Sequence, residues 1–248
     1  MKPYALITGA SGGLGQALAH KLKAEGWSLA LASRRHEAIA LLARELDCLA
    51  IAADVATPEG AQSVLRACLS EFGVPPAGLA LCAGNTLITP LHRTSDAQIR
   101  DCLTANFFTA YHSLQAFISQ CLEHGQSGSA VLVSSVVARI GVANHEAIAA
   151  CKGAVEGLAR SAAATYAGKG IRVNAIAPGL MRSPLTERLF APNAEKQIAA
   201  QYPLGRHGSV EDGASAIAWL LSDQSSWVTG QVLPIDGGFS AIRPMVRA

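Results

Sequence analysis

Residues 8–15 spell Thr-Gly-Ala-Ser-Gly-Gly-Leu-Gly, and this glycine-rich stretch decides the fold. It follows a short apolar run, Tyr4–Thr8, and precedes a segment in which leucines recur at helical spacing. Glycines between a strand and a helix permit a tight turn and let backbone N–H groups approach a pyrophosphate at the helix N-terminus. The alternative is an ordinary turn, which does not require this strand–loop–helix context. We therefore predict a dinucleotide-binding loop, with Thr8, Gly9, Ser11, Gly13, Leu14 and Gly15 contacting the cofactor.

Short apolar runs alternate with helical segments along the rest of the chain. Short strands that are apolar on both faces indicate a parallel sheet covered by helices on both sides. The 248 residues are 50% hydrophobic and show no composition break, as expected for one large α/β domain. The pattern predicts a single-domain, Rossmann-type doubly wound sheet over residues 1–248. Its main strands are expected at 4–8, 28–33, 48–53, 79–83, 130–134, 171–177 and 231–235, about seven in all.

The end of the second strand indicates which dinucleotide is bound. An acidic residue there would hydrogen-bond the ribose hydroxyls of NAD, but this chain has Ser33, Arg34 and Arg35. Arginine binds phosphate groups through two parallel hydrogen bonds, so these residues favour NADP(H). The alternative is that both arginines are solvated residues at the start of a helix. After the third strand, Asp54 and Val55 are placed to meet the adenine ring.

Charge and cysteine patterns exclude several other classes of protein. The net charge is +2 and the basic residues are scattered, so nucleic-acid binding is not expected. The six cysteines form no C-x-x-C pair, which predicts free thiols and no metal site. There is no signal-peptide pattern and no apolar run long enough for a membrane span, so we expect a cytoplasmic protein with no membrane association.

Ordered motifs along nearly the whole chain resemble those of the short-chain dehydrogenase/reductase family, and the similarity is greatest to its 3-oxoacyl-carrier-protein reductase branch. After the glycine loop, Ala83-Gly84 resembles the end of the strand-four motif, and Asn106 the helix asparagine. The other matching residues are Ser134-Ser135, Lys152 and the segments 172–179, 203–206, 222–223 and 235–238.

The resemblance implies roles for particular residues. In that family a serine polarises the substrate carbonyl and a tyrosine donates the proton. A lysine binds the nicotinamide ribose and lowers the phenol pKa, while an asparagine holds a water in the proton relay. By resemblance, the catalytic residues are Ser135, Lys152 and Asn106. The additional cofactor contacts are Ala83, Gly84, Lys152, Pro178 and Gly179.

One position departs from the family pattern. The family's spacing from Ser135 and from Lys152 leads to position 148 for the tyrosine, and this chain has Ile148 there. An isoleucine has no proton to donate, and losing general acid catalysis costs about 10²–10⁴-fold in rate. His145 is the candidate substitute acid, oriented by Glu146, because helical spacing would place it on one face with Ile148 and Lys152. The alternative is that His145 and Glu146 only begin the helix.

The resemblance also predicts the substrate class and the assembly. It implies an NADP(H)-dependent oxidoreductase acting on a ketone or secondary alcohol, with an acyl-carrier thioester as one candidate substrate. Residues 183–208 resemble a substrate lid, although an amphipathic surface helix is the alternative. Small residues along 148–167 favour close packing of a second helix, and related proteins pair this helix, so a homodimer or homotetramer is expected.

Two alternative functions remain open at this stage. The first is a catalytically impaired NADP(H)-binding subunit of a mixed oligomer, and the second is a non-redox enzyme on the same fold. A further departure, Leu81-Cys82 in place of an asparagine pair, removes side-chain hydrogen bonds around the cofactor.

Overall fold

A computed structural model describes residues 3–190 and 194–243. Its main sheet has seven parallel strands in the order β3-β2-β1-β4-β5-β6-β9. The predicted single-domain Rossmann-type fold is confirmed by this order. These strands are β1 (Tyr4–Thr8), β2 (Ser28–Ser33), β3 (Leu49–Ala52), β4 (Gly78–Leu81), β5 (Gly128–Val133), β6 (Ile171–Pro178) and β9 (Val232–Ile235).

Helices cover both faces of the sheet and create two apolar cores. One core lies under α1, α2 and α8, and the other under α3, α5 and α6. Because the inner strands β1, β2, β4, β5 and β6 are largely buried on both faces, their apolar runs need no polar alternation. The helices are α1 (Gly13–Ala24), α2 (Glu37–Glu45), α3 (Pro58–Phe72), α4 (Asp96–Leu103), α5 (Thr109–Glu123), α6 (Glu146–Tyr166), α7 (Ala194–Ala199) and α8 (Val210–Leu221).

The strand order reverses between β1 and β4, and this reversal positions the site. From β1 the chain proceeds outward through β2 to β3, whereas β4, β5 and β6 lie on the other side. In a doubly wound sheet, a crevice opens beyond the carboxyl ends of the strands at such a switch point. The glycine loop follows β1 directly, so it lies at this crevice.

Two strand ends differ from the expected positions by two residues, and the other differences are of one residue. β4 ends at Leu81, two residues before the expected end at 83, and β5 begins at Gly128, two before the expected start at 130. The reason is that backbone pairing with neighbouring strands, rather than hydropathy, sets a strand's ends. Gly128 and Ser129 are paired with Ile171 and Arg172 of β6 although neither is apolar.

The helical segment over residues 96–123 is not uniform. A π-helical turn, Thr104–Phe108, separates α4 from α5, and Asn106 lies within it. A capping box between Ser95 and Gln98 starts α4. π-turns inside α-helices are rare and are frequently found at functional sites.

The lid expected over 183–208 contains few regular elements. A two-stranded parallel ladder joins β7 (Met181–Arg182) to β8 (Gly208–Ser209) at its ends. Between them lie a short 3₁₀ turn, Glu187–Leu189, and α7. Residues 191–193 of the lid lie outside the described part of the chain.

Candidate functional site

The glycine loop is pressed against the end of β4. Gly9 has a φ of +68°, and a Cβ built on it would lie 2.4 Å from the backbone nitrogen of Ala83. A Cβ on Gly15 would lie 2.6 Å from the carbonyl oxygen of Gly9. Both positions therefore exclude larger residues for steric reasons, and the turn at Gly9 lies directly against Ala83.

Polar groups of the loop fit a phosphate-containing ligand. The hydroxyl oxygen of Thr8 is buried and has no hydrogen-bond partner among the described residues. Gly12 caps α1 without a side-chain hydrogen bond, so the helix begins with backbone donors, as pyrophosphate binding requires. The Ser11 and Ser33 hydroxyls lie 3.2 Å apart, which connects the loop to the end of β2.

The residues expected to contact the adenosine half lie along the same edge of the sheet. Arg34 and Arg35 are exposed just after β2, and the N–H of Arg35 donates to Ser33 Oγ at 3.5 Å. Asp54 is exposed and its carboxylate accepts from a backbone N–H in its own turn. Val55, in contrast, is 6% exposed and packs into the core. The two residues expected beside the adenine ring thus have different surroundings.

The end of β6 meets the start of the lid. A Cβ on Gly179 would lie 3.0 Å from the Tyr202 ring, and the Tyr202 hydroxyl accepts from the N–H of Leu180 at 2.8 Å. A Cβ on Gly13 would lie 3.3 Å from the Ser183 side chain. The first lid residues therefore lie beside the start of α1, while Gly179 lies against Tyr202.

A buried ammonium group lies beside Gly84, just after the end of β4. Lys152 is 7% exposed, and its Nζ donates to the carbonyl oxygen of Val133 at 2.8 Å. A Cβ on Gly84 would lie 3.4 Å from this Nζ and 2.8 Å from Asn106 Oδ1. Burial lowers the pKa of Lys152 to about 8. The structure therefore brings Lys152, Asn106 and Gly84 together, as the resemblance implies.

Ile148 lies beside the turn that carries Ser135. The Ser135 hydroxyl accepts from the N–H of Val137 at 3.4 Å, and Val137 packs against the apolar cluster formed by Cys102, Ile148 and Cys151. Ile148 is 3% exposed and is buried with Cys102 and Cys151. Position 148 is thus close to Ser135, but its side chain contributes only apolar atoms.

With this geometry established, comparison with known proteins identifies the family. A family model described as enoyl-(acyl carrier protein) reductase matches residues 9–240. The chain belongs to the short-chain dehydrogenase/reductase family. It is 34% identical to the 3-oxoacyl-[acyl-carrier-protein] reductase FabG of Staphylococcus aureus over 244 residues, which is 96% of this chain and 98% of that protein.

Other members of the family show the same full-length similarity. The chain is 35% identical to an A-factor type gamma-butyrolactone 1'-reductase of Streptomyces virginiae, covering 96% of this chain and 95% of that protein. A solved structure, ElxO with NADP bound, has a TM-score of 0.90 at 26% identity, covering 96% of this chain and 99% of that chain. The family assignment and its oxidoreductase class are therefore shown.

The position of His145 corrects one expectation about this short-chain dehydrogenase/reductase. His145 is the N-cap of α6, with φ −110° and ψ 16°, and Glu146 is the first helical residue. Its Nδ1 is 2.7 Å from the carbonyl oxygen of Ala143. The expected common helical face with Ile148 and Lys152 is therefore wrong, because His145 precedes the helix and is partly exposed whereas the other two are buried.

Two residues near the catalytic candidates were not predicted. Asn85 accepts from Asn106 Nδ2 at 2.7 Å, and its own N–H donates to Asn106 Oδ1 at 3.3 Å. Glu156, on α6, is buried and accepts from Ser134 Oγ at 3.0 Å. Glu156 could have been proposed from the sequence, because it is a charged residue one helical turn beyond Lys152. Nothing in the sequence connects Asn85 to Asn106.

Two further observations limit the chemistry of the site. Burial raises the pKa of Cys82 to about 12, which keeps this residue a thiol and argues against a nucleophilic role. A cavity of about 400 Å³ lies between the lid and β9, but Ser135, Lys152 and Asn106 do not line it. Within the described residues, no helix has the length and apolarity needed to cross a membrane, and no cluster of metal-ligating side chains is found.

Proposed function

We propose that this protein is an NADP(H)-dependent oxidoreductase that interconverts a ketone and a secondary alcohol. The observation that carries the proposal is the buried Lys152 ammonium, which lies beside Asn106 and Gly84 at the edge of the sheet where the glycine loop ends β1. The exposed Arg34 and Arg35 favour the phosphorylated dinucleotide. The NADP-bound relative supports this choice of cofactor.

Each element of the site has a distinct role in the proposed reaction, whether in holding the dinucleotide or in activating the substrate. When bound, the nicotinamide supplies or accepts a hydride. The loop from Thr8 to Gly15, with Ala83, Pro178 and Gly179, holds the dinucleotide, and Asp54 borders its adenine end. Lys152 donates hydrogen bonds to the ribose and adds positive charge beside the reacting oxygen. Ser135 polarises the substrate carbonyl.

The proton donor is the atypical part of the proposal. Ile148 has no ionisable hydrogen, so another group must protonate the developing alkoxide. We retain His145 for this role, because an imidazole can donate a proton and its Nδ1 contact with Ala143 O leaves Nε2 available. Asn106, hydrogen-bonded to Asn85, is the group we assign to the water relay.

A 3-oxoacyl thioester is the first substrate to test. The reductase relative from Staphylococcus aureus is named for that reaction, and the lid carries Leu185 and Leu204, which are 51% and 70% exposed. An exposed apolar lid suits an acyl chain or a small hydrophobic ketone.

The buried position of Ile148 favours one alternative, a catalytically impaired NADP(H)-binding subunit of a mixed oligomer. In that case Lys152 is retained only to bind the ribose. The alternative and the main proposal make the same prediction for cofactor binding but opposite predictions for turnover.

Cofactor titration followed by turnover measurement separates these proposals. NADPH and NADH binding is followed by nicotinamide fluorescence, and turnover by nicotinamide absorbance with a panel of 3-oxoacyl thioesters, simple ketones and secondary alcohols. Turnover with NADPH supports the oxidoreductase. Binding without turnover favours the impaired subunit or a non-redox enzyme, and no NADPH binding at millimolar concentration refutes all three.

We also propose a homodimer or homotetramer. Phe108, at the end of the π-turn, and Tyr111, on α5, are 41% and 39% exposed. The neighbouring α6 carries Gly153 and Gly157, whose added Cβ atoms would meet no neighbour within 4 Å. Exposed aromatic rings next to small residues suit close packing with a second copy. Light scattering of the purified chain tests this oligomeric state, and a monomer would contradict it.

The cytoplasmic location of the protein stays a prediction.

A further inference from the structure

A buried carboxylate lies one helical turn beyond Lys152. The side chain of Glu156 on α6 is 8% exposed, and it contacts three polar side chains. Ser134 Oγ donates to it at 3.0 Å, and Arg139 Nε and Arg160 Nη1 each lie 3.5 Å from a carboxylate oxygen. These contacts lie outside the cofactor loop and have no role in the function proposed above.

Two of these contacts lie on either side of Ser135 in the chain. Ser134 directly precedes Ser135, and Arg139 follows the 3₁₀ turn Val136–Ala138 that begins just after it. Ser134 Oγ is also 3.3 Å from the carbonyl oxygen of Lys152. The carboxylate therefore connects α6, which carries Lys152, to the chain both before and after Ser135.

Neutralising the buried charge does not by itself require this arrangement. A carboxylate removed from water costs several kcal/mol unless a cation pairs with it. Arg160, on the same helix and 55% exposed, already provides a cation four residues away. Besides this ion pair with Arg160, the Glu156 carboxylate also contacts Ser134 and Arg139. Both of these contacts restrain the segment that carries Ser135.

We propose that Glu156 is a positioning residue, which through Ser134 and Arg139 fixes the Ser135 turn relative to Lys152 on α6. The kinetic consequence rests on the proposed function, whereas the restraint on the turn does not. A displacement of about 1 Å at a reacting group can cost about 10²-fold in rate, so the effect is measurable.

Three single variants test the proposal against a purely structural role. Ser134→Ala and Arg139→Gln each remove one connection to the Ser135 segment, whereas Arg160→Gln removes a cation from the same carboxylate without touching that segment. We expect kcat to fall about 10-fold or more in the first two and less than about twofold in the control. Substrate KM should change little in all three, and Arg139→Lys should recover part of the loss.

Hydrogen–deuterium exchange provides a readout that does not need activity. Uptake in peptides covering residues 134–140 should rise in Ser134→Ala and Arg139→Gln and stay at the wild-type level in Arg160→Gln. Equal uptake in all variants, or equal kcat losses in Arg139→Gln and Arg160→Gln, overturns the proposal. If the wild type binds NADPH without turnover, the proposed function is refuted but the positioning role is not. The exchange data then decide the positioning role.

Discussion

The Nζ atom of Lys152 donates a hydrogen bond to the carbonyl oxygen of Val133 at 2.8 Å, from a side chain that is 7% exposed. This contact anchors α6 to the last residue of β5, two positions before Ser135. A buried ammonium that keeps only this backbone partner has donors left for another ligand. The relationship is the main structural support for a cofactor-ribose contact at Lys152.

Restoring a phenol at position 148 should raise turnover. In Ile148→Tyr we expect an increase of about 10²-fold, because general acid catalysis by a positioned group contributes about 10²–10⁴-fold. Nicotinamide absorbance with the best substrate from the panel measures it. Ile148→Phe is the matched control, since it adds the ring without the hydroxyl. If both variants behave alike, the missing hydroxyl does not limit this enzyme.

Removing His145 should abolish turnover without weakening the cofactor complex. For His145→Ala we expect a kcat loss of about 10²-fold or more and an NADPH affinity within about twofold of wild type. His124→Ala is the control, because His124 makes a similar contact from Nδ1 to the carbonyl oxygen of Gln120 but caps α5 at the opposite edge of the sheet. Unchanged turnover in His145→Ala would remove this histidine from the mechanism.

The double substitution of Arg34 and Arg35 by alanine should weaken NADPH binding and spare NADH binding. We expect the NADPH Kd to rise by about 10- to 100-fold, because each charged hydrogen bond to a phosphate is worth about 1.5–3 kcal/mol. Fluorescence titration measures both constants. Arg44→Ala removes a single positive charge from an exposed position on α2 and should change neither constant. A parallel loss for both dinucleotides would argue against recognition of the 2′-phosphate.

The pKa of Lys152 predicts how stability depends on pH. Burial lowers this pKa from 10.5 to about 8, so the unfolded chain binds more protons than the folded one between these two values. The free energy of unfolding therefore rises as the pH increases from about 8 to 10.5. Below about pH 8, Lys152 is charged in both states and burying its charge destabilises the fold by the full amount. Wild type should gain free energy of unfolding relative to Lys152→Met between about pH 7 and about pH 9.5 in urea titrations. A constant difference would contradict the lowered pKa.

Gly9→Ala should destabilise the fold more than the backbone conformation alone explains. A φ of +68° costs a non-glycine residue about 1–2 kcal/mol, and the contact with Ala83 adds overpacking of about 1–3 kcal/mol. Gly73→Ala isolates the first cost, because Gly73 has a φ of +72° and open space around it. Denaturant midpoints compare the two variants. Equal losses would show that the loop can move away from β4.

The sequence was sufficient for the features that local pattern encodes. Alternating apolar and helical periods predicted the seven-stranded sheet and the position of the glycine loop between β1 and α1, because both depend on neighbours within one strand–loop–helix unit. The positions of Ser135 and Lys152 followed from their motifs. Contacts that cross between elements were not predicted, such as that between Asn106 and Asn85, 21 residues apart.

The sequence by itself determined the parallel sheet, the glycine loop and the presence of an isoleucine at position 148. Tertiary structure alone decided the surroundings of those residues. It buries Ile148 with Cys102, it places Val55 in the core, and it joins Glu156 to Arg139 across 17 residues. The physical reason is that periodicity records which face of an element is apolar, whereas the partner of a given side chain depends on how whole helices and strands pack.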